Sequence, residues 1–130
     1  MNRGPLRREL SIGFDEALAR LPDALASEGF GALTEIDVQA TLKKKIDVDF
    51  RRYRIIGACN PKLAHAALQV SLDVGVMLPC NVVLYETDDG RTTALAVDPM
   101  ARFAAEGPPG LEAVATDVAA RLERVLARLG

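Results

Sequence analysis

No segment of this chain restricts its fold more than the run from Leu111 to Leu129. Leu111, Val114, Ala115, Val118, Ala119, Leu122, Val125, Leu126 and Leu129 recur at the three- and four-residue steps of an α-helix, and no polar residue interrupts the stripe. A helix with one continuous apolar face has to cover something. The segments before it supply strands for it to cover. Leu6, Leu10 and Ile12 alternate at period two, and Tyr53 and Ile55 alternate with Arg52 and Arg54 within a strand read from Phe50 to Ala58. Gly31 to Ile36, Cys80 to Glu86 and Thr92 to Val97 read as further strands, the last two joined by an Asp88-Asp89-Gly90 hairpin turn.

Helices fit between these strands. Phe14, Leu18, Leu21 and Leu25 share one helical face, with Asp15 and Glu16 in the first turn near the positive end of the dipole and Gly29 placed to end the helix. Pro22 lacks a backbone donor and crowds the preceding turn, which predicts a kink or a break there. Asp37 caps a short helix over Val38 to Lys45 with Leu42 and Ile46 facing inward. Asn60 at an N-cap and Pro61 at the first helical position start another, with Leu63, Ala64, Ala67 and Leu68 inward. Asp98-Pro99 reads as the stop of the last strand, followed by a Gly/Pro-rich loop over Glu106 to Gly110. The expected architecture is α+β: a mostly antiparallel sheet of four to five strands, helices on one face, the other face free for a partner.

The 130 residues suit a single domain over 1–130. A net charge of −2 and 26% charged residues point away from disorder and from a polyanion-binding protein. No apolar run approaches the ~18 residues of a membrane span, and the start, Met-Asn-Arg-Gly-Pro-Leu, lacks the apolar stretch of a secretory signal. The expected address is the cytoplasm, where a structural disulfide between two lone cysteines is disfavoured. Tetrahedral zinc is short of ligands, because Cys59 and Cys80 lie 21 apart and His65 is the only histidine.

Both cysteines sit in proline-flanked Cys-Asn pairs, Cys59-Asn60-Pro61 and Pro79-Cys80-Asn81. The string Gly57-Ala58-Cys59-Asn60-Pro61, with Leu63-Ala64 after it and Leu78-Pro79-Cys80 opening the next strand, resembles the bacterial and archaeal domain-of-unknown-function family numbered 302. Gly29-Phe30, Ile36-Asp37, Ala40-Thr41-Leu42-Lys43, Asp89-Gly90 and Asp98-Pro99 agree with it. The resemblance runs from about Phe14 to the C-terminal helix. It implies a compact α+β domain that forms homodimers, with Cys59, Asn60, Pro61, Pro79 and Cys80 as recurring motif positions and no settled activity, cofactor or substrate.

The chemistry open to these residues divides into two classes. Cys59 precedes a helix N-cap, where backbone donors and the dipole favour a thiolate. If Cys80 lies beside it, the pair with Asn60 and Asn81 could cycle through a disulfide or persulfide, hold a soft metal such as Cu(I) with Met77 or His65, or line a small-molecule site with Pro61 and Pro79. In the other class the cysteines are core filler in a structural or interaction module, free cysteine being among the most buried residue types. His65 flanks the apolar face of its helix and reads as a solvated imidazole, and Glu86 as an exposed strand end. Lys43-Lys44-Lys45 with Arg51, Arg52 and Arg54 form a basic cluster interrupted by Asp47 and Asp49. That cluster is better read as a solvated face than as a nucleic-acid surface. No phosphate-binding loop, dinucleotide fingerprint, H-E-x-x-H or G-x-S-x-G is present. The leading expectation is a cytoplasmic homodimer that binds a small ligand or works through its thiols at Cys59, Asn60, Pro61, Pro79, Cys80 and Asn81. Enzyme status stays open.

Overall fold

The computed structural model describes residues 4–106 and 109–130. In chain order the elements are β1 (Leu6–Leu10), α1 (Phe14–Ser27), β2 (Gly31–Asp37), α2 (Val38–Ile46), β3 (Tyr53–Cys59) and α3 (Pro61–Val70). A 3₁₀ segment (Leu72–Met77), β4 (Cys80–Glu86), β5 (Thr92–Ala96), α4 (Pro99–Glu106) and α5 (Glu112–Arg128) complete the chain. The strands form one antiparallel sheet in the order β1-β5-β4-β3-β2. This is the expected α+β architecture.

Alternation along the strands decides which side of the sheet is covered. Val82 and Leu84 of β4 are buried, as are their cross-strand neighbours Ile56, Ala94 and Ala96. Against this face pack Leu21 and Leu25 of α1 and Leu122 and Val125 of α5, all fully buried and within one cluster. Each such side chain contributes about 1.5–3 kcal/mol on leaving water. The stripe on α5 therefore covers the sheet, as its periodicity requires.

Pro22 lies inside α1, and the helix continues through it from Phe14 to Ser27. The expected break does not occur, because Pro22 is exposed while Phe14, Ala17, Leu21, Ala24 and Leu25 are buried on the opposite side. Their combined burial outweighs the ~3 kcal/mol cost of a proline in a helix interior. The helix ends in a full Schellman motif: Gly29, at φ +83°, donates to the Ala26 carbonyl at 3.0 Å, and Phe30 donates to the Leu25 carbonyl at 2.9 Å.

Two other expectations change. β5 ends at Ala96, before Asp98-Pro99 as expected, but the residues that follow form a helix the sequence reading does not contain: Pro99 opens α4, and the Asp98 carboxylate accepts from the Met100 N–H at 3.0 Å. Ile46 does not face inward. It is 63% exposed, Val38 and Leu42 are half-buried and no residue of α2 is fully buried; the helix is capped by Asp37, which accepts from Ala40 N–H at 2.9 Å. Of the Gly/Pro-rich loop, positions 107 and 108 lie outside the described residues, as do Met1, Asn2 and Arg3.

The basic cluster is laced with carboxylates. Lys43 reaches Asp47 at 2.9 Å and Asp49 at 3.1 Å; Arg54 reaches Glu35 at 2.7 Å and Asp37 at 3.2 Å; Arg51 reaches Asp88 at 3.1 Å; Arg52 pairs with Asp15. Exposed pairs of this kind contribute ~0–1 kcal/mol each to stability, yet they cancel much of the positive strip.

A second, smaller apolar cluster stands beyond the end of the sheet. Ala67 of α3, Val74 of the 3₁₀ segment and Leu111 at the head of α5 are its buried members. Among the described residues Val114 is the one partly buried side chain packed against both clusters. The α3–3₁₀ excursion is thus a flap that builds a small core with the head of α5 and touches the main core through Leu63.

Candidate functional site

β3 ends at Cys59 and the chain turns at once into α3. Asn60 makes the turn, holding an extended backbone at φ −101° and ψ 106° while its Oδ1 accepts from the Leu63 N–H at 3.2 Å. Its Nδ2 donates to the Glu28 carbonyl at 3.1 Å, tying the start of α3 to the end of α1. Gly29 permits this approach: a Cβ there would stand 2.8 Å from Asn60 Nδ2. Arg121 of α5 donates to the same carbonyl through Nη1 at 3.1 Å, so an orphan acceptor at the helix end receives two donors.

The Glu28 carboxylate, also buried, accepts from Arg124 Nε at 3.0 Å. That guanidinium holds the Glu28 carboxyl below its ordinary range. Three segments distant in sequence therefore meet around Asn60: the end of α1, the start of α3 and the middle of α5.

Register brings the second motif to the same place. Ala58 pairs with Cys80, and both side chains face the helices; Cys59 is one residue further on. Cys59 and Cys80 line one apolar slot with Phe30, Leu78, Val114 and Val118. It occupies the seam between the two apolar clusters, and its cavity of about 20 Å³ holds roughly one water-sized sphere. Asn60 and Leu63 form part of its wall and also of a wider vestibule of about 460 Å³, which Gly29, Pro61, Lys62 and Arg121 complete.

The two thiols are free and differ in surroundings. Cys80 is buried and Cys59 half-buried. Burial, with a smaller contribution from the neighbouring Cys59, pushes the Cys80 thiol up to about 11, so it stays protonated at neutral pH. A protonated thiol in an apolar wall is a soft, weakly polar surface and a poor nucleophile.

Four of the six sequence-derived site residues come together: Cys59, Asn60 and Cys80 on the slot, Pro61 with Asn60 on the vestibule. Pro79 and Asn81 belong elsewhere. Asn81 is exposed and pairs with Gly57, which strand alternation places on the open face of the sheet. Pro79 caps Gly57: a Cβ at that glycine would meet Pro79 Cγ at 2.8 Å and collide with the Thr34 hydroxyl. His65 is exposed and hydrogen-bonds Gln69 at 3.0 Å, and Met77 packs against the smaller cluster. No grouping of three or more metal-ligand side chains occurs among the described residues.

Several wall residues carry no motif signal. Val114 and Val118 read from the sequence only as part of the α5 stripe, and Phe30 only through the Gly29-Phe30 agreement with the family pattern, with no hint of a site. Lys62 and Arg121, the cations of the vestibule, resemble any other surface charge until the fold sets them together.

Comparison with known proteins places the chain in a family. The family model described as domain of unknown function DUF302 matches residues 6–129. The chain belongs to the DUF302 family. A crystal structure described as an uncharacterized conserved protein DUF302 from Bacillus stearothermophilus is 32% identical to this DUF302 chain. It superposes with a TM-score of 0.89, covering 97% of this chain and 98% of that one. No curated protein matches the chain.

Proposed function

We propose that this DUF302 chain is a small-ligand binding module of the cytoplasm, its ligand seated in the slot between the sheet's end and the α3–3₁₀ flap. The observation that carries the reading is the meeting of both cysteines on one apolar cavity that opens beside Asn60. Apolar walls with a few fixed polar groups are the usual lining of a small-molecule site, and the adjoining vestibule of about 460 Å³, which shares Asn60 and Leu63 with the slot, has the usual size. The protonated state of Cys80 favours a binding role for the thiols over a redox cycle. Two free cysteines suit a reducing compartment, and no helix among the described residues is long and apolar enough to cross a membrane.

The test is an amide chemical-shift titration with octan-1-ol, a plain apolar probe. Shifts confined to Phe30, Cys59, Leu63, Leu78, Cys80 and Val114, together with slower maleimide labelling of Cys59, are the expected result. Shifts absent, or spread over the open sheet face, would sink the reading. Cys80 should react with a thiol reagent only on unfolding.

A second reading, an interaction module, is favoured by the face of the sheet opposite α1 and α5. Ile36, at 48% exposure, lies there with half-buried Ile55, Val83 and Leu95, beside Tyr53 and Tyr85 stacked at a centroid distance of 5.6 Å. The outer edge of β2 has no strand partner among the described residues. A homodimer joined through this face would bury the apolar patch and the stacked tyrosines. Sedimentation velocity should then show Val83→Glu shifted to monomer at concentrations where the unaltered chain is a dimer; an unaltered chain that sediments as a monomer throughout removes this reading.

A further inference from the structure

Slot and vestibule differ in chemistry, and the difference specifies a ligand. The slot is walled by aliphatic, aromatic and thiol groups. Across Asn60 and Leu63 the vestibule is roomy and carries two cations, Lys62 and Arg121. Arg121 is partly engaged, its Nε donating to Asp117 at 2.8 Å and its Nη1 to the Glu28 carbonyl, and the Glu28 carboxylate is taken up by Arg124. Lys62 is exposed and has no ion-pair partner among the described residues. The local balance is one uncompensated positive charge at the rim of an apolar cleft.

Resting on the small-ligand reading above, we infer that the site takes an organic anion with a thin, unbranched apolar tail, of the class of short- and medium-chain carboxylates. The head group lies in the vestibule near Lys62 and Arg121, and the tail enters the seam past Leu63 toward Cys59 and Cys80. The slot is narrow as it stands, so the tail wedges the flap away from the sheet. The parting line is narrow: among the described residues Val114 packs against both clusters and Leu63 of α3 rests against the main one, so these two side chains are what the tail displaces. A branched or bulky tail would have to break one of the two clusters.

The experiment compares octanoate with octan-1-ol by calorimetry and amide shifts, on the unaltered chain and on Lys62→Glu, an exposed substitution that leaves the core intact. Octanoate binding is expected to weaken about fivefold in Lys62→Glu, with a loss also on raising salt, while octanol binding stays unchanged. Ala64→Phe, which fills the slot, should abolish both. Octanol binding in the slot with octanoate indifferent to Lys62 and to salt overturns the anionic class and leaves the small-ligand reading standing. Failure of both probes to bind overturns the two together.

Discussion

Asn60→Ala is expected to lower the stability of the chain by about 2 kcal/mol, roughly 1 from the lost N-cap of α3 and roughly 1 from the lost hydrogen bond to the Glu28 carbonyl. The Leu63 N–H goes unmatched, and the Glu28 carbonyl keeps one of its two donors, Arg121. Asn60→Ser separates the contributions: serine can still cap the helix but cannot reach Glu28, so about half the loss should remain. Urea denaturation reads both, as a lower midpoint with an unchanged slope. Hydrogen exchange adds location, because α3 should lose more protection than β4 if Asn60 anchors the flap. A variant within 0.5 kcal/mol of the unaltered chain, with α3 equally protected, would mean the flap is held by its small core alone.

The same residue shows what can be read from a sequence and what cannot. Asn60-Pro61 announces a helix start by local chemistry, the asparagine oxygen for an orphan donor and the proline ring for a donor that would be unpaired anyway. Asp98-Pro99 carries the same chemistry, yet after a strand it reads as a stop; the structure puts α4 there. Nothing local distinguishes the two cases, because the segment after Pro99 lacks a long apolar stripe of its own. Pro22 errs in the opposite direction. Its penalty is local and visible, whereas the burial of Leu21 and Leu25 that overrides it depends on a sheet assembled from segments far along the chain. Ile46 fails for a related reason: helical spacing identifies a face, but α2 lies at the edge of the sheet with no layer above it.

For the site, the motifs locate Cys59 and Cys80 and their strand-end positions, and the fold sets both on the wall of one slot. Strand alternation also separates what the motif joins. Asn81 follows Cys80 directly and therefore points to the other face, and Pro79 packs over Gly57. A motif that looks like one site in sequence serves two sides of the sheet. The charged half of the site was illegible, since Lys62 and Arg121 come together only because α5 crosses behind the start of α3.

The protonation of Cys80 has a thermodynamic consequence that reports on the slot directly. Its thiol is raised from an ordinary value of 9.0 to about 11 by burial first and by Cys59 second. Below pH 9 the thiol is neutral in both the folded and the unfolded chain, so the full stability is present. Between pH 9 and 11 the unfolded chain releases the proton while the folded chain keeps it, which favours unfolding as the pH rises. Across that window the loss from this one group amounts to about 2–3 kcal/mol, two units at ~1.4 kcal/mol each. Lysines and tyrosines titrate in the same range, so the measurement is a comparison: denaturation midpoints of the unaltered chain and of Cys80→Ala from pH 7 to 10.5. Cys80→Ala starts lower, having lost packing in the slot, and should fall less steeply, so that the two curves converge as the thiol's contribution disappears. A tail wedged into the slot desolvates Cys80 further, so a saturating ligand should carry the loss to pH values above 11 while its onset, set by the unfolded chain, stays near pH 9. Parallel curves would mean that the sulfur meets water, and a wet Cys80 is incompatible with an apolar slot closed by the flap.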